Sequence, residues 1–227
     1  MPPDGRATRG RRRLRRRTTM QSLIEMLVAL EMLLLPAWVG AAFVRPPDAL
    51  GRRVLRGAVA VAVATVILIL LAAFISGEAA TAVLRSQAVA AGFLALLIGI
   101  AAATDRLTGP RPAQVLTTLL GWLVLAAVIL GGPVVELVDA PVKEPLVRTL
   151  VYANPLIVAE HELGLQWLHQ SLTYQLTPIG ESYAYLFGAL AWWKTFLAHL
   201  FIGSGLFVFG LRRTSTRNGP PRRTSDG

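Results

Sequence analysis

The chain has 227 residues, 54% of them apolar and only 16% charged, which is too little charge to cover a soluble surface of that size. The net charge of +10 sits mainly in two tails, with eight arginines in residues 1–17 and five more in 212–223. Basic tails beside apolar runs act as topology signals that also meet anionic headgroups, so membrane lipid rather than nucleic acid is the expected partner. With no cysteine in the chain, disulfides, thiolate nucleophiles and cysteine-held metal clusters are excluded.

In chain order, residues 1–20 are expected to be a basic, disordered tail and 21–211 a helical transmembrane domain. The first apolar run, 22–44, is longer than the core of a signal peptide and is followed by no small-residue cleavage site, so a membrane segment is expected there. It carries Glu25, Glu31 and Pro36. Either glutamate facing lipid would cost about 2.5–3.5 kcal/mol, so both are expected to face protein or water. They could line a pathway, or pair with tail arginines and headgroups; pairing inside the protein is the reading for Glu31.

Four further spans follow from length and lack of charge: 57–76, 86–104, 114–131 and 187–211. About 20 apolar residues rising 1.5 Å each cross a hydrocarbon core of about 30 Å. No run alternates with period two, which argues for helices over a barrel. The fold class is therefore all-α, a polytopic helical membrane protein of about five to six membrane segments.

Charge in the connections orients these spans. The linkers 45–56 (Arg45, Arg52, Arg53, Arg56) and 105–113 (Arg106, Arg111) are basic and expected in the cytoplasm, while 77–85 and the acidic 132–185 are expected outside. The C-terminal tail, 212–227, then falls inside. The N-terminal arginines fall outside if 22–44 spans, against the same rule. This leaves three explanations: a re-entrant or interfacial element broken near Pro36, a true start at Met20, or a span preceding this chain.

The connection 132–185 contains Pro133, Pro141, Pro145, Pro155 and Pro178, expected to cut it into short helices over 145–153 and 156–173 lying on the outer face. In the second helix Ile157, Leu163, Trp167 and Leu168 would form an apolar side, and Glu160, Glu162 and Gln166 a polar one. Tyr174, Tyr183, Tyr185, Trp192 and Trp193 fit an interfacial aromatic belt.

His161, Glu162 and His169 raise a metal site. The two histidines are eight apart, about 80° around a helix and about 12 Å along it, unlike the four-residue spacing of zinc proteases. His199, halfway along the last span, could ligate haem or bond a neighbouring helix. No phosphate-binding loop and no nucleophile elbow occur, so no cofactor and no catalytic site of the chain's own is expected.

Four segments carry a resemblance: Leu27-Val-Ala-Leu-Glu-Met-Leu-Leu-Leu-Pro36-Ala-Trp-Val-Gly-Ala-Ala42; ATDRLTGPRPAQVLTTLLGWLVLAAVILGGP, ending at Pro133; Asn154-Pro155-Leu156; and the stretch from Trp192-Trp193 to Arg212-Arg213. Together, over most of 22–213, they resemble the membrane subunits of export-class ABC transporters. That resemblance implies a multi-pass permease of the cytoplasmic (inner) membrane, working with a separate ATP-binding subunit and a second permease chain. Arg45, Arg52, Arg53 and Arg106 would then face the ATPase. The first cytoplasmic loop departs from the family, reading Arg45-Pro-Pro-Asp-Ala-Leu-Gly51-Arg-Arg53 where a Glu-Arg pair and a docking helix are usual. Two other readings stand beside it: a haem- or quinone-binding anchor of a redox complex, resting on the histidines, and a non-transporting assembly or scaffold protein.

Overall fold

A computed structural model describes residues 5–42, 62–63, 65–73, 75–164 and 190–211, with side chains from Gln21 onward. Every regular element among them is helical. In chain order they are α1 (Gly5–Ala42), α2 (65–73), α3 (Gly77–Thr108), α4 (Pro110–Leu137), α5 (Ala140–Ala153), α6 (Pro155–Glu162) and α7 (Trp192–Leu211). Four stretches are long and apolar enough to cross a membrane: Gln21–Ala42, Gly77–Thr108, Pro110–Leu137 and Trp192–Leu211. The chain is an all-α, multi-pass membrane protein. The fifth expected span, 57–76, is described only over 62–63, 65–73 and 75–76, where α2 is helical before a turn.

Several boundaries differ from those read in the sequence. The basic stretch expected as a separate tail continues into α1 from Gly5, because arginine is a good helix former and no proline interrupts it. The helix also runs unbroken through Pro36, which overturns the break expected there. The ring of Pro36 packs against α4, where a Cβ on Gly121 would lie 2.6 Å from it. A missing side chain on one helix thus accommodates the proline of the other.

The neutral linker expected at 77–85 is the start of α3. Ser76 Oγ accepts from the Ala79 N–H at 3.1 Å, an N-cap reinforced by Glu78 in the first turn. The linker expected at 105–113 shrinks to Gly109, whose φ of +87° ends α3 while Pro110 opens α4. Proline at the first helical position loses only an N–H that would be unpaired anyway, and glycine takes the left-handed turn without penalty. At 32 residues, α3 is about 48 Å long, longer than the hydrocarbon core, so its charged ends project beyond it.

Around this hairpin the helices stack in register. Trp122 Nε1 donates to Leu33 O at 3.2 Å and Thr118 Oγ1 to Pro36 O at 3.3 Å, so α1 runs antiparallel to α4. The α3–α7 pair is parallel: Gly92 lies against Phe196, Gly99 against Gly203 and Ala102 against Gly210. A Cβ on Gly99 would come 2.8 Å from the Gly203 Cα, with the Gly203 carbonyl oxygen closer still. Lipid tails give no hydrophobic drive between helices, so such close backbone approach is what holds them. Val28 and Met32 of α1 and Phe93 and Leu97 of α3 are fully buried in one apolar core. Thr65 Oγ1 on α2 donates to Gln87 Oε1 at 2.8 Å.

The connection after α4 also departs from expectation. Pro133 does not end α4, which runs to Leu137, and α5 begins at Ala140 rather than 145, with Pro141 in its first turn and Pro145 inside it. The helix expected over 156–173 stops at Glu162, where Leu163 and Gly164, the latter at φ +89°, turn the chain. Residues 165–173 and the tyrosines at 174, 183 and 185 lie outside the described residues. Nor is α6 a helix lying on the protein surface: it is wedged against α1, α3 and α7, with Pro155, Val158, Ala159 and Glu160 all buried.

Candidate functional site: a carboxylate-lined cleft above a buried corner

The corner between α5 and α6 is built by Asn154. Its Oδ1 accepts from the N–H groups of Leu156 and Ile157 at 3.1 and 3.2 Å, capping α6. Its Nδ2 donates to Leu125 O of α4 at 2.6 Å. Pro155 follows as the first helical residue, where it costs least. The carbonyls just before the corner bind α7: Thr195 Oγ1 donates to Tyr152 O at 2.9 Å, and His199 Nε2 donates to Ala153 O at 3.1 Å. This bond assigns the proton of the neutral imidazole to Nε2. Nδ1, buried without a partner, is then the unprotonated nitrogen. The Phe93 ring lies 5.9 Å from the imidazole.

Beyond the corner, α6 carries its carboxylates toward α1 and α3. Ser86 Oγ donates to Ala159 O at 2.8 Å and pins the helix in place. Glu160 next to it is fully buried, and neither of its oxygens has a hydrogen-bond partner. Burial, and then the charge of Glu25, push its carboxyl up to about 8. Glu162, two residues further along α6, pairs with Arg85 Nη1 at 3.3 Å. The sequence reading placed Glu160 and Glu162 together on a polar, outward side; this is corrected for Glu160, because α6 is too short and too enclosed to keep a solvated face.

Arg85 and Glu162 border a cleft of about 540 Å³. Gln21 and Glu25 of α1, Ser76, Glu78 and Arg85, and Glu162 to Gly164 form its walls. Gln21 Nε2 donates to Leu163 O at 3.4 Å across one edge. Deeper between the helices, Gln87 Nε2 donates to Glu31 Oε2 at 2.7 Å, so Glu31 faces protein, the arrangement read for it from sequence. Its other oxygen is buried and unpartnered.

Of the residues singled out from sequence, Glu25 and Glu162 line the cleft, Glu160 is buried beneath α6, Asn154 and Pro155 form the corner and His199 braces it. His161 lies on α6, half-buried. His169, Arg45, Arg52 and Arg53 fall outside the described residues. Arg106 turns onto α7, donating to Phe209 O and lying 4.0 Å over the Phe209 ring. Among the described residues no group of three or more His, Asp or Glu side chains could hold a metal. Sequence reasoning missed Arg85, Ser86 and Gln87; their signal was three consecutive polar residues at the head of an apolar run. No protein-family model, curated protein or solved structure matches the chain.

Proposed function

We propose that this chain is the membrane-spanning permease subunit of an ATP-driven exporter of the ABC type, seated in the cytoplasmic membrane. ATP would be hydrolysed by a separate chain, since no nucleotide-binding motif is present in this one. The observation that carries the reading is the α5–α6 corner, folded back between α4 and α7 and bonded to both through Asn154, Tyr152 and Ala153. Such a corner makes the outer mouth move with the two helices whose opposite ends reach the cytoplasmic side. A partner that shifts α4 and α7 there can bias the bundle between inward- and outward-open states.

The Gly109 hairpin is too tight to form a docking helix, and Arg106 is engaged with α7. In this proposal the ATPase contact therefore falls to the linker with Arg45, Arg52 and Arg53, and a second permease chain completes the pathway. The test is co-purification from detergent-solubilised membranes with each ATP-binding subunit encoded beside its gene. A stable complex whose ATPase rate changes when the permease chain is present is the expected outcome. Failure of every such subunit to bind contradicts the proposal.

A further inference from the structure

Glu160 is the only fully buried carboxylate among the described residues. It lies where α6 enters the slot between α1 and α3, beside the fully buried Val158 and Ala159. Neither oxygen finds a donor. The single O–H of Ser86, the α3 hydroxyl against this turn, is already given to a backbone carbonyl, that of Ala159. An ion without donors in such a place is strongly disfavoured, so the group rests there as the neutral acid, with one O–H to give.

Charged and titratable groups come from each helix packed around it. From α1 comes Glu25, close enough for its charge to act on Glu160 and itself a wall of the cleft. From α3 comes Arg85, held by Glu162. On α6 itself are His161 and Glu162. From α7, His199 is committed to Ala153 O at the corner, and Lys194 lies over the Tyr152 ring of α5. Among the described residues, Glu25 both lines the cleft and acts by its charge on the buried acid.

We propose that Glu160 is a proton-binding site that exchanges with the cleft through Glu25, so that the bundle takes up and releases one proton at the slot between α1, α3 and α6. In the exchange the Glu160 O–H bond breaks, the proton passes to a Glu25 carboxylate oxygen, and from there to water; no other bond changes. Release leaves an unpaired anion under α6, which couples proton loss to displacement of that helix. This site goes beyond the exporter reading and stands with or without an ATPase partner.

The full chain, reconstituted in phosphatidylcholine and phosphatidylglycerol vesicles, would be titrated by infrared difference spectroscopy from about pH 5 to about pH 10, the range a raised carboxyl spans. A protonated-carboxyl band is expected to persist at neutral pH and disappear on alkalinisation. Glu160→Gln should abolish it, and Glu25→Gln should move its midpoint to lower pH by removing the neighbouring charge. The same band in Glu160→Gln, or an unmoved midpoint in Glu25→Gln, overturns the site. Loss of the band on adding Na+ at fixed pH overturns it too, in favour of a metal cation. Should Glu160→Gln lose its helical circular dichroism, the shift in Glu25→Gln decides alone.

Discussion

The His199 imidazole donates to the Ala153 carbonyl, 3.1 Å away, and so joins the middle of one membrane helix to the last residue before a buried chain reversal. With Asn154 bonded to Leu125 on the other side, the reversal is held from two helices at once. Removal of either anchor should therefore loosen the cleft above it.

Asn154→Ala should lower stability by about 2–3 kcal/mol, combining a lost helix cap with a buried donor–acceptor pair. Asn154→Asp keeps the acceptor for Leu156 and Ile157 but not the donor for Leu125, and should fall between. Thermal unfolding of the purified protein in one detergent, followed by circular dichroism, ranks the three.

The α3–α7 seam is predicted to reject even one methyl group. A Cβ on Gly203 would meet the Leu96 amide nitrogen at 2.6 Å, and backbone cannot step aside as a side chain can. Gly203→Ala should cost about 2 kcal/mol or more. Gly205→Ala, with nothing within 4 Å of its Cβ, should be neutral or gain up to about 1 kcal/mol from helix propensity. Equal melting temperatures for the two variants would refute the seam.

Glu31 and Gln87 are coupled by their 2.7 Å bond. Gln87→Leu leaves the carboxylate without that donor and should destabilise by about 1–3 kcal/mol, while adding Glu31→Leu in the same chain should restore much of the loss. A double-mutant cycle on melting temperatures measures the coupling; additive effects would contradict it.

Stability should also depend on pH through Glu160. Its carboxyl rises from 4.5 to about 8 on folding, so below pH 4.5 both states are protonated and its contribution is fully present. Between those values the unfolded chain ionises while the folded one keeps its proton, and stability falls, the loss being complete once pH passes the folded value. Over that window the loss is on the order of 3–5 kcal/mol. Glu160→Gln should flatten this part of the unfolding-versus-pH curve, and wild type and variant curves that stay parallel would contradict it.

Hydrophobic runs reveal themselves one residue at a time, which is why α3, α4 and α7 were legible as spans. Their ends were less so, because Gly77 to Arg85 and Asp105 to Thr108 are polar enough to read as loops yet sit on a helix that outgrows the lipid. Pro36 and Pro133 looked like breaks because a sequence does not display the packing opposite them; Gly121 answers Pro36 from another helix. Glu31 was placed correctly by the cost of exposing it to lipid. Glu160 was misplaced because an eight-residue helix has no face of its own until α1 and α3 enclose it. Arg85 only acquires meaning once Glu162, 77 positions away, is brought beside it.

The central claim is that α3 carries the chain across the bilayer, with the cleft at one surface and the Gly109 hairpin at the other. Since the natural chain has no cysteine, Glu78→Cys and Thr108→Cys each introduce a single thiol at an exposed position. With a membrane-impermeant maleimide on intact cells, Glu78→Cys should label at once and Thr108→Cys only after permeabilisation. Labelling of both from the same side would contradict the account.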